Sequence, residues 1–252
     1  MLFVELNTEM QISGALAFIH NLITILLSIL ILSKAIKTKN LMLYIFSIFM
    51  LFSAAGYYQI GLNYIYWIFT HDIFTYQVKI LIGTAGIGIA TISWLYIYFK
   101  MLIKKKVKFA LVAYAIFAII FYVYLIYFLF IAPGAPILEM IGSNIFPYEV
   151  NYTGFVLIAF LGSLIINTIT TYHLGIYLIK RSQNRELQWK GKFLVVGMTI
   201  IIISVNIDMM IADLIEITII IRILGIIGIL FIYLGFILPN WIRKILHLEL
   251  KK

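Results

Sequence analysis

No cysteine occurs in this chain of 252 residues, so disulfides, thiolate metal sites and cysteine nucleophiles are excluded. Charge is scarce too: Asp, Glu, Lys and Arg make up 12% of the residues, against about 25% in soluble domains. Proline occurs only at Pro133, Pro136, Pro147 and Pro239, all outside the long apolar runs. What is present is apolar: 64% of residues are hydrophobic and the mean hydropathy is +1.09. A soluble protein this small has too much surface per volume to hide so much apolar material. Lipid is the solvent that fits, and the fold class is an all-α polytopic membrane helix bundle.

A spanning helix needs about 20 mostly apolar residues. Such runs fall at roughly 12–33, 41–69, 73–101, 108–131, 154–179, 193–212 and 218–238, which predicts seven transmembrane helices. The second and third runs exceed the required length and are expected to tilt or project around Thr70-His71-Asp72. Met-Leu-Phe-Val-Glu5 is acidic rather than basic, so a cleaved signal peptide is not expected.

Net charge is +9, but the basic residues lie in short groups between apolar runs, as topology signals do. Nucleic acid is therefore not the expected partner; the lipid bilayer is. Lys34, Lys37 and Lys39 follow the first run, and Lys100, Lys104, Lys105, Lys106 and Lys108 follow the third. Lys180, Arg181, Arg185, Lys190 and Lys192 surround the loop after the fifth, and Arg243, Lys244, Lys251 and Lys252 lie in the tail. With seven spans all of these share one face, and only Lys79 and Arg222 of the 19 Lys and Arg residues do not. The opposite face receives Glu5, Glu9, Asp72, Glu139, Glu149, Asp213 and Glu216. The positive-inside rule then predicts an outer N-terminus and a cytoplasmic C-terminus, in the cell membrane.

The longest outer loop, about 132–153, holds Pro133, Pro136 and Pro147 with Gly134 and Gly142, and reads as a partly ordered cap. Asn151-Tyr152-Thr153 within it matches an N-glycosylation triplet, a pattern that arises often by chance. Pro239 ends the last run, and Ile242, Ile245 and Leu246 interleave with Arg243, Lys244 and His247. The spacing predicts a short amphipathic cytoplasmic helix over 239–252, which anchors the tail or docks a cytoplasmic partner.

Polar residues inside the spans carry the functional information. Asp208, Arg222, Lys79, His20, Asn21 and Gln59 all fall in the outer half, and Asn206 lies beside Asp208. Two accounts fit them. In one, Asp208 pairs with Arg222 or Lys79 and the rest bond to neighbouring backbone, as modest interhelical glue. In the other, they line an outward polar pocket for a small ligand, with Lys79 and Arg222 available to an anion. Ser204 and Asp208, four apart, share a helix face, as do Asn206 and Asp213, seven apart. Asn167 and His173 read as satisfied interhelical hydrogen bonds.

No catalytic constellation is recognised. The four histidines, His20, His71, His173 and His247, are scattered in depth, so no metal site and no cofactor is expected. The last span has no lysine for a retinal Schiff base, and Tyr98-Phe99-Lys100 is not the acidic-Arg-aromatic triplet of G-protein-coupled receptors. Proline-free spans predict uninterrupted helices, which lowers the expectation of a transporter built from broken ones.

Seven helices, outer polar groups, a cap and the segment Leu238-Pro239-Asn240-Trp241-Ile242-Arg243-Lys244 resemble the seven-helix sensor regions of prokaryotic membrane receptors. In those proteins a similar bundle precedes a kinase or other output domain, which is not expected so close to the end of this sequence. The resemblance implies a receptor-like module without its own catalytic domain, acting through a membrane or cytoplasmic signalling partner. A small-solute transporter or channel and a structural subunit of a membrane complex remain alternatives.

Overall fold

The computed structural model describes residues 5–132, 137–147, 149–210 and 215–248. Pro133, Gly134, Pro136, Asp213, Lys251 and Lys252 lie outside them, as does the Glu216 side chain. Asn7 opens the first helix by accepting the Met10 amide at 2.8 Å, the service of an N-cap. Helix α1 (Thr8–Thr38) runs 31 residues, about 46 Å, and stops at Lys39 in the left-handed conformation. Asn40 caps α2 (Leu41–Ser53) through the Met42 amide at 2.9 Å.

The second apolar run, expected as one helix over 41–69, is two. After α2 the chain breaks at Ala54 and resumes as α3 (Ala55–Thr70), bent by 56°. No proline is involved. The break falls in the small-residue run Ser53-Ala54-Ala55-Gly56, and side chains take up the carbonyls it frees. Ser53 Oγ donates to the Met50 carbonyl at 2.9 Å and the Tyr58 hydroxyl to the Leu51 carbonyl at 2.7 Å. Gly86 on the next helix makes room: a Cβ there would stand 2.6 Å from Ala55 Cβ and 2.9 Å from the Phe52 carbonyl oxygen.

α4 (Tyr76–Leu102) leads through a 3-10 turn (Lys104–Lys106) into α5 (Val107–Ile126), which loosens into a π-helical segment (Tyr127–Ile131). A short helix α6 (Ile137–Met140) and an antiparallel hairpin, β1 (Gly142–Phe146) with β2 (Glu149–Tyr152), cap this end of the bundle. Gly142 pairs with Tyr152 and Asn144 with Val150; the register slips between Asn144 and Phe146. Three long helices follow, α7 (Gly154–Arg181), α8 (Arg185–Met210) and α9 (Ile215–Phe236), and then the short α10 (Asn240–Ile245). α8 begins well before the predicted start at 193, so the basic loop shrinks to a few residues between α7 and α8.

Packing runs α7 on α8, α8 on α9, and α9 on α1, while α4 meets α2, α3, α5 and α7. Two glycine pairs let backbones touch. A Cβ on Gly191 would lie 2.6 Å from the Gly175 carbonyl oxygen, and one on Gly197 would lie 2.9 Å from that of Gly228. A core of Leu27, Phe46, Met50, Trp94, Leu194 and Ile232 fills the lysine-rich half. A second, with Ile80, Phe121, Leu129, Ile141 and Val150, seats the hairpin.

Polarity is distributed inside out. Phe109, Val112, Ile116, Ile119 and Val123 project from α5 into the surroundings, while Ser13, His20, Gln59, Lys79 and Arg222 are buried. Among the described residues six helices are long and apolar enough to cross a membrane, and the bent α2–α3 pair makes a seventh if it counts as one span. Apart from the short hairpin the described fold is helical, and the chain is a multi-pass membrane protein.

Candidate functional site

The hairpin cap is tied down by polar contacts from below. Tyr76 and Tyr124 donate their hydroxyls to the carbonyls of Gly142 and Met140, at 2.7 and 2.9 Å. The Tyr152 hydroxyl reaches down to Gln59 Oε1 at 2.8 Å. Gly83 makes that last bond possible, since a Cβ there would collide with both partner oxygens. Gly154 starts α7 with φ +55°, against the carbonyls of Glu139 and Met140, where a side chain would be both strained and crowded.

The two cations isolated in the sequence both serve this cap. Lys79 Nζ donates to Asn144 Oδ1 at 2.7 Å and to the Pro147 carbonyl at 2.9 Å. Arg222, fully buried on α9, donates through Nη2 to Glu149 Oε2 at 3.0 Å and through Nη1 to the Ser13 carbonyl at 2.5 Å and to the Ser13 hydroxyl. The pairing expected of Asp208 with Arg222 or Lys79 is therefore replaced. Arg222 takes its carboxylate from the cap strand, and Lys79 takes neutral oxygens. Both cations are engaged by cap residues.

Beneath the hairpin lies a cavity of about 530 Å³, walled by α1, α2, α3, α4, α7, α8 and α9. That volume is within the range of small-molecule sites. Its hairpin end is polar, with His20, Tyr57, Glu149, Ser204, Asn206 and Asp208. Its deep end is apolar, with Phe49, Met50, Trp94, Met198, Ile229 and Ile232. Ile232 lies 17 residues along α9 from Ile215, so the lining reaches about 25 Å from the hairpin end. The break between α2 and α3 faces it, as Met50, Ser53, Ala55 and Tyr57 all line the wall.

Several lining groups have buried polar atoms with no hydrogen-bond partner: both ring nitrogens of His20, the Tyr57 hydroxyl, Asn167 Oδ1 and Asp208 Oδ1. His20 is only 2% exposed and packs its ring 4.5 Å from that of Tyr57. Buried polar atoms are almost always paired, so four such residues around one cavity are unusual.

Of the residues picked out from sequence, His20, Gln59, Asn206 and Asp208 line the cavity. Lys79 and Arg222 hold the cap. Asn21 stands behind the wall, donating from Nδ2 to the Tyr57 carbonyl at 3.0 Å. Asn206 is exposed and returns its amide to the Ile202 carbonyl of its own helix at 2.8 Å. His173 makes the interhelical bond expected of it, to the Tyr98 hydroxyl at 2.6 Å. Asn167 does so only on one side, through Nδ2 to Thr91 Oγ1 at 3.2 Å. Asn151 is exposed on β2, beside Tyr152 and Thr153, whose side chains are engaged within the fold.

Sequence reasoning missed Tyr57, Glu149 and Ser13 as members of the group. Tyrosines are too abundant here, at 17, for one to stand out, and Glu149 sits in a loop whose fold the sequence does not reveal. Among the described residues no three His, Asp or Glu side chains converge as a metal site would require. No protein-family model, curated protein or solved structure matches this chain.

Proposed function

We propose that this protein is a receptor-like membrane module that binds a small molecule in the cavity beneath the hairpin cap. The observation that carries the reading is the cavity itself, with four residues whose buried polar atoms lack hydrogen-bond partners on its wall. Ligand binding there would bias the packing of α8 and α9 against the cap, through Asp208 on one helix and the Arg222–Glu149 contact on the other. The hairpin end faces outward and the lysine-rich end faces the cytoplasm of a cell membrane, in keeping with the distribution of basic residues. Inner loops and α10 then relay the change to a signalling partner.

The absence of native cysteine makes orientation simple to test. Single substitutions Asn7→Cys and Lys105→Cys are exposed to a membrane-impermeant maleimide in intact cells. Asn7→Cys labels and Lys105→Cys labels only after lysis; the reverse pattern inverts the topology. For the cavity, native mass spectrometry of protein released from its own membranes should show a bound small molecule. Gly225→Phe should remove it, because a Cβ at Gly225 faces His20, Ser204 and Tyr57 at 3.6–3.7 Å and a larger group enters the cavity. An adduct pattern unchanged by the plug sinks the reading.

A second reading, transport of a small solute, is favoured by one observation: the α2–α3 break opens onto the cavity wall, as broken helices do in many transporters. Proteoliposome uptake of the molecule identified above, blocked by the same plug, would select it.

A further inference from the structure

The charge of the ligand can be read from which ionisable groups reach the cavity. From sequence, Lys79 and Arg222 favour an anion. In the fold neither lines the cavity, and each is already engaged, Lys79 by Asn144 and Pro147, Arg222 by Ser13 and Glu149. The ionisable acids that do line it are Glu149 and Asp208. Glu149 is offset by Arg222 at 3.0 Å. Asp208 makes no ion pair among the described residues, and its Oδ1 is buried without a hydrogen-bond partner. With Arg222 set against Glu149 and Lys79 held behind the wall by neutral oxygens, the ionisable acid left facing the cavity is Asp208.

Hydrogen-bond demand points the same way. Asp208 Oδ1 only accepts when the acid is ionised, while the neighbouring His20 and Tyr57 hydroxyl can accept or donate. The shortfall is in donors, and an ammonium head supplies three of them with a positive charge. Below it the wall changes to Phe49, Met50, Trp94, Met198 and Ile229, which suits an aliphatic or aromatic body and offers aromatic faces but no further charge.

We infer that the cavity binds a cationic amphiphile, its amine seated against Asp208 beside Tyr57 and His20 and its apolar body running toward Trp94. The inference rests on the cavity being a ligand site, as proposed above, and adds the chemical class.

Three probes with one tail and different heads test it: dodecylamine, dodecanol and dodecanoate, titrated onto the full chain in nanodiscs, with empty nanodiscs as the partition control. Trp94 fluorescence, read as the difference from a Trp94→Phe control because the chain has three other tryptophans, reports occupancy of the deep end. Dodecylamine should bind at least about tenfold tighter than dodecanol, with dodecanoate weakest, as a charge-assisted bond in a desolvated site requires. Asp208→Asn should bring the amine to within about threefold of the alcohol and leave the alcohol unchanged. Gly225→Phe, and Ser204→Leu from the facing helix in case the first variant folds poorly, should block all three. Plug-sensitive binding with equal affinities, or with the anion ahead, overturns the cationic assignment and leaves the cavity as a ligand site. Binding of none of the three beyond the empty-disc control overturns both.

Discussion

Each end of the bundle holds a buried arginine paired with a glutamate, and the two pairs sit in opposite circumstances. At the lysine-rich end Arg243 meets Glu186 through Nη2 and donates from Nε to the Leu238 carbonyl at 3.0 Å, while Lys190 supports Glu186 at 3.0 Å. Two cations converge on one acid, and α10 is fastened to the start of α8. At the hairpin end Arg222 meets Glu149, but a second acid, Asp208, stands close by on α8, near enough for its charge to act on both. There the acid left facing the cavity is Asp208, and His20 and Tyr57 beside it add unmatched polar atoms. Matched charge fastens a structure, whereas unmatched charge beside a void leaves room for something to bind.

The largest effect that would test this contrast is at Arg222. Arg222→Met leaves Glu149, 8% exposed, without its cation, and breaking one partner of a buried pair costs about 3–5 kcal/mol. The thermal unfolding midpoint in nanodiscs should fall sharply. Adding Glu149→Gln should restore much of the loss, because no lone buried charge then remains. Asp208→Asn, which breaks no direct contact with Arg222, should couple to Arg222→Met more weakly than Glu149→Gln does. Equal coupling of the two acids would mean that Arg222 is shared between them and that the cavity acid is not free.

Sequence carried the helices well and their internal breaks poorly. Long apolar runs mark spans because a backbone in lipid must satisfy its own hydrogen bonds, so α1, α4, α7 and α9 stand close to their predicted positions. The bend at Ala54 escaped because proline was taken as its marker. Here Ser53 and Tyr58 take up the freed carbonyls and Gly86 receives the break, contacts between side chains that no local pattern announces. The same limit applied at the site. Rare ionisable residues within apolar runs, Lys79, Arg222 and Asp208, were visible by their cost. Their pairing was not, since Arg222 finds Glu149 across 73 positions, in a hairpin whose strands are short and polar. Reading Arg222 with Asp208 assumed that partners lie in spans. The cap supplies one instead, and with Lys79 also drawn to the cap, the charged side chains left on the cavity wall are acids rather than the expected cations.

Effects at the lysine-rich end should be smaller and should leave ligand binding untouched. Arg243→Met removes a contact to Glu186 and to the Leu238 carbonyl, but Lys190 still balances the acid, so the loss should be about 1–2 kcal/mol rather than that of an orphaned charge. Lys190→Ala removes only an i,i+4 pair at a partly exposed position, and about 0.3–0.5 kcal/mol is the usual scale for such pairs. Unfolding midpoints should rank Arg222→Met below Arg243→Met and both below Lys190→Ala, with dodecylamine affinity changing in the first variant alone. A loss of amine binding in Arg243→Met would show that the α10 clamp reaches the cavity through the length of α8, and the two ends would then be parts of one mechanism rather than a binding end and a fastening end.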